Sequence, residues 1–154
     1  MASARGLANH SLYMARLLAG QWQASRAGQT APEQAMNAAF APALQLHLCN
    51  AYGWFLLATV RATSLPDTPP HRISELPELS RDIVEPGELE ECRQLERGGW
   101  LAQLQACIPA GLPPQTNAGV LASSGSYPQL EDFERWMTAL DRLFDRMGES
   151  LDEN

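Results

Sequence analysis

The chain has 154 residues, 45% hydrophobic and 19% charged, with a formal net charge of −7. That length suits one domain able to bury roughly 70% of its unfolded surface, and the apolar fraction excludes disorder throughout. Every basic residue is arginine, and an acidic chain without lysine is poorly suited to neutralising a run of phosphates, so DNA binding is not expected.

Cys49, Cys92 and Cys107 form no CxxC pair and no disulfide framework. Buried free thiols in a reducing cytoplasm are the simplest expectation. Polar residues return at Gln21 and Gln23 before any long apolar core, so no secretory leader is expected. No charge lies between Glu33 and Arg61, a gap long enough for a membrane span. Pro42, Gln45, His47 and Asn50 interrupt it, and its strongly apolar part, Trp54 to Val60, is too short. A buried central helix and no membrane span are therefore expected.

No alternating strand pattern occurs, and helical spacing dominates. A first helix over 4–27 carries Leu7, Met14, Leu17, Leu18 and Trp22, with Gly28 as its stop. A second spans 31–63. Thr30-Ala31-Pro32-Glu33 predicts a capping box at its start, and Pro42 predicts a kink. Its helical spacing puts His47 in the core, with Asn50 as a candidate polar companion.

Residues 64–85 form a proline-rich connection in which Leu76, Leu79 and Ile83 have the spacing of a short docked helix. The third helix, 86–108, breaks phase at Gly98-Gly99. Residues 109–127 read as a flexible loop rich in Gly, Pro and Ser, a target for proteolysis between Gly111 and Ser126. Ser126 to Gln129 repeats the box chemistry. The fourth helix, 128–149, has Leu130, Phe133, Met137, Leu140, Phe144, Met147 and Leu151 three and four residues apart, an a/d seam.

Motifs for chemistry are sparse. Glu-x-x-His and His-Glu-x-x-His are absent, and His47 and Cys49 point to different helix faces, so no metal site is expected. Gly98-Gly99 lacks the Gly-Lys-Ser of a phosphate loop, and Ser123 to Ser126 lacks a neighbouring histidine, so no cofactor or serine nucleophile is expected. Trp54, Phe55, Trp100, Trp136 and Phe144 read as core rather than as a ligand cage. Arg5-Gly-Leu-Ala-Asn-His10 resembles the Arg-x4-His motif of HEPN-type ribonucleases, themselves helical bundles. That resemblance implies RNA cleavage by Arg5 and His10 paired across a dimer. Here Gly6 replaces the polar residue usual after the arginine, and the motif lies on the first helix rather than a later one. The competing reading is a solvated first turn.

The segments LYMARLLAGQW, ALQLHLCNAYGWFLLA, GGWLAQLQA and FERWMTALDRLFDRM together resemble an uncharacterised bacterial family of short all-helical proteins, a domain of unknown function. The resemblance implies a cytoplasmic helical bundle and supplies no catalytic residue. The expectation is an all-α, up-down four-helix bundle forming a single domain over 1–154. Its expected role is a non-enzymatic interaction or scaffold module with a protein partner or a homo-oligomer. The alternatives are a HEPN-like ribonuclease using Arg5 and His10, and a binder of a small apolar ligand between helices.

Overall fold

The computed structural model describes residues 2–78, 85–106, 108 and 128–152, with side chains as far as 148 in the last helix. The expected docked helix at Leu79 and Ile83, the loop 109–127, the cap at Ser126, Cys107 and the side chain of Leu151 lie outside the described residues. The fold is all-helical: α1 (Ala4–Ala27), α2 (Glu33–Thr59), a short 3-10 turn (Ile73–Glu75), α3 (Glu88–Gly98), α4 (Trp100–Leu104) and α5 (Leu130–Asp152).

Local chemistry sets the ends. Ser3 caps α1 by accepting from the Gly6 amide at 3.0 Å. At the other end the Thr30 amide donates to the Ser25 carbonyl and the Gln29 amide to Arg26, with Gln29 left-handed at φ 49°. That is a Schellman stop in which Gln29, not the expected Gly28, takes the left-handed position. The Thr30 hydroxyl also donates to the Ser25 carbonyl, at 3.3 Å. Thr30 therefore closes α1 instead of boxing α2, which opens at Pro32 without a side-chain cap.

The end of α2 repeats the Schellman stop. Ala62 donates to Leu57 and Arg61 to Ala58, with Arg61 at φ 52°. The helix thus stops at Thr59, short of the expected 63. The third expected helix is two: Gly99 is extended (φ −97°, ψ −161°), separating α3 from α4, and α4 ends at Leu104 rather than 108. The break at Gly98-Gly99 was the position at which the apolar pattern lost phase.

Directions follow from the contacts. Arg26–Glu131 (2.5 Å) and Arg16–Asp141 (2.8 Å) run α1 antiparallel to α5, and Arg5 lies over Gly148 near the far end. Asn37 bonds Gln129 near one end of α2, and Phe55 stacks on Phe144 toward the other, so α2 is parallel to α5. Tyr52–Glu96 and Gln45–Leu104 run α3 and α4 back along α2. The core holds Trp22, Tyr52 and Phe133, with Leu12, Leu44, Leu48, Leu56, Leu101 and Leu140. The buried stripe of α5 is broader than the expected seam: Trp136 and Leu143 join it, while Met137 is half-buried.

Candidate functional site

Between α2 and α3 the chain lays a strap, residues 60–78, across the C-terminal half of α2. Gly53 makes this possible. A Cβ at Gly53 would stand 1.7 Å from the Pro70 carbonyl oxygen and 3.0 Å from the Pro69 Cβ, so only glycine lets the strap approach. Side chains then hold the strap by its backbone. Gln105 donates to the His71 carbonyl at 2.5 Å, and the His71 amide donates to Glu75 at 2.7 Å. Glu96 accepts the Ile73 amide at 3.1 Å, and the His71 ring Nε2 meets Asn50 Oδ1 at 2.8 Å. Asn50 therefore serves His71, not the expected His47, which is half-buried.

A cleft of about 490 Å³ opens where the strap meets α2 and α4, lined by Gln45, Leu46, Cys49, His71, Arg72 and Gln105 among others. Cys49, His71 and Asn50 are the residue types of a thiol nucleophile with its base and orienter. Their state argues against that chemistry. Burial pushes the Cys49 thiol up to about 12, only partly opposed by Arg72, so the thiolate is scarce. Gln45 and Gln105 are committed to backbone carbonyls. The cleft can hold a small molecule; its cysteine is inert.

Behind the strap lies a second buried group. The Tyr52 hydroxyl donates to Glu96 at 3.2 Å, and Cys92 is beside it. Burial raises both Tyr52 and Cys92, the thiol to about 12. Burial likewise raises the Glu96 carboxyl above its usual range, against the Ile73 amide, Tyr52 and Arg72. Cys49 and Cys92 are both buried free thiols, as the cysteine arithmetic anticipated. Among the described residues no cluster of His, Cys, Asp and Glu has the makings of a metal site, and no helix is long and apolar enough to cross a membrane.

Arg5 and His10 are not brought together. Five residues along a helix turn the chain about 140°. Arg5 lies on the α5 side, lining a cleft of about 110 Å³ with Asn9, Phe144 and Asp145, whereas His10 is exposed and outside that lining. The aromatic residues read as core are core: Trp54, Phe55, Trp136 and Phe144 are buried, and Trp100 is half-buried.

The outward side of the α1–α2 hairpin differs from both clefts. The three exposed large hydrophobics among the described residues, Tyr13, Leu17 and Leu46, all lie on this hairpin, each just over half exposed. The charged residues of α1 are Arg5, Arg16 and Arg26, which helical spacing puts on the α5 side. Its outward half carries Gly6, His10, Tyr13, Leu17, Gly20, Gln21 and Ala24, without a charge. On α2 the exposed residues after its first turn are Ala39, Pro42 and Leu46. Trp22 stacks on Phe40 across the hairpin, which sets Leu17 and Leu46 at one level. Periodicity could have found this face, because the absence of charge around α1 is visible in the sequence.

The family described as "Family of unknown function (DUF6586)" matches residues 1–154. The chain belongs to it. No curated protein and no solved structure matches the chain. Membership of DUF6586 agrees with the resemblance found in the helical segments and brings no activity with it.

Proposed function

We propose that the protein is a non-catalytic interaction module whose contact surface is the outward side of the α1–α2 hairpin. One observation carries the reading: Tyr13, Leu17 and Leu46 are exposed on a side that bears no charge over the length of α1. A solvated helix face ordinarily carries charged residues, and a contiguous apolar patch rimmed by polar ones marks a contact site. The inert state of Cys49 supports the same reading, since the best-formed cleft lacks an activated nucleophile. A cytoplasmic setting goes with this proposal and is supported by the two free thiols.

Photo-crosslinking tests it. Benzoylphenylalanine in place of Tyr13, in cells, gives a discrete intermolecular adduct, while the same probe in place of Arg142 on the charged side of α5 gives none. Equal labelling from both positions, or none from Tyr13, overturns the reading.

A further inference from the structure

We propose that the occupant of the hairpin face is a second copy of this chain, packed about a two-fold axis with α1 against α1. This rests on the interaction reading and names its partner.

Charge selects the partner. Residues 1–66 hold one carboxylate, Glu33, against Arg5, Arg16, Arg26 and Arg61, and every other acidic residue lies beyond. Two chains of net charge −7 repel one another in most orientations. A two-fold contact places a patch against itself, so a patch of either sign would face its own charge. The hairpin's outward side avoids that conflict, and packing through it holds the acidic α3 and α5 of the two copies on opposite flanks. No other long helix offers such a side: α5 carries Glu131, Glu134, Arg135 and Arg142 outward.

Gly20 supplies an independent observation. It lies in the interior of α1, where glycine weakens a helix relative to alanine. A Cβ there would meet nothing within 4 Å, so no contact within the chain accounts for the residue. On the helix surface Gly20 falls beside Tyr13, Leu17 and Ala24. The result is a shallow place flanked by two apolar knobs, into which the Leu17 of a second copy fits when two helices cross closely.

The dimensions agree. The 24 residues of α1 give a face about 36 Å long, and two packed helices are about 20 Å wide. That footprint approaches the roughly 800 Å² per partner of a standard protein interface.

Sedimentation equilibrium of the full chain decides the matter. The wild type is expected at twice the 16.9 kDa chain mass, dissociating on dilution. Leu17→Glu and Gly20→Leu are each expected at the chain mass, with the helical circular dichroism and thermal midpoint of a wild-type sample diluted to monomer. Two substitutions guard against a variant that fails to fold. A wild type that stays at 16.9 kDa at millimolar concentration overturns the proposal. So does a dimer that both folded variants leave intact. If the wild type is monomeric while the Tyr13 probe crosslinks to a different protein, the interaction reading stands and self-association alone fails.

Discussion

Two seams close the same core by different means. Where α1 meets α5 the contact is hydrocarbon and aromatic, Leu12, Trp22 and Phe133 among the buried groups, with Arg16–Asp141 and Arg26–Glu131 at its rim. Where the strap meets α2, α3 and α4, single side chains reach backbone groups: Gln105 to His71, Glu96 to Ile73, and Gly53 making room for Pro70. The first seam draws its stability from many interchangeable contacts. The second depends on a few residues that each do one thing, so it should open as a unit when one is changed.

The largest effect belongs to the helical seam. Phe133→Ala should lower unfolding stability by about 3–5 kcal/mol and Leu140→Ala by about 2–5 kcal/mol, since both side chains are completely buried. Urea midpoints check this, and a negligible shift would show that α5 does not face the core. Gly53→Ala should cost less, about 1–3 kcal/mol, because the strap can move away while the helices hold. Its signature is selective: amides such as Ile73 lose hydrogen-exchange protection while those of α5 keep theirs. Uniform loss would merge the two seams into one cooperative unit.

Glu96 sharpens the comparison through pH. Its folded pKa lies above the unfolded value because burial disfavours the carboxylate. Its contribution to stability is therefore fully present below the unfolded value of about 4.3 and is lost as pH rises through the folded value. Glu96→Gln should flatten that segment of the stability–pH curve and raise stability near neutrality by less than about 1 kcal/mol, discounted for its partial exposure. Parallel curves for wild type and variant would remove Glu96 from the latch. The smallest effect is expected for Arg16 and Asp141, each about half exposed. A double-mutant cycle should give about 0.2–1 kcal/mol, shrinking as salt is added.

The same contrast explains what was legible in the sequence. The α5 stripe, the buried thiols and the break at Gly98-Gly99 were readable because periodicity reports which side chains face a core. The roles of Gly53, Asn50 and Gln105 were not, because each is defined by a backbone segment distant in sequence that the helical pattern does not encode. Thr30 was assigned to the wrong helix for a related reason. In so short a turn one hydroxyl has two candidate helix ends, and the Schellman closure of α1 claimed it. Of the candidate site, the uncharged side of α1 was present in the residues, whereas the strap cleft required the fold.

Cys49 and Cys92 give the molecule two internal reporters with different triggers. Cys49 lines the strap cleft and Cys92 sits behind Tyr52, each protected by burial and by a pKa near 12. An alkylating reagent in a Cys107→Ser background can reach them only during opening, so the modification rate of each measures how often its own cover lifts. Departure of the strap alone should expose Cys49 and leave Cys92 silent, and Gly53→Ala should accelerate the first without the second. Equal rates at the two sulfurs would mean that the strap never leaves unless the helices separate with it.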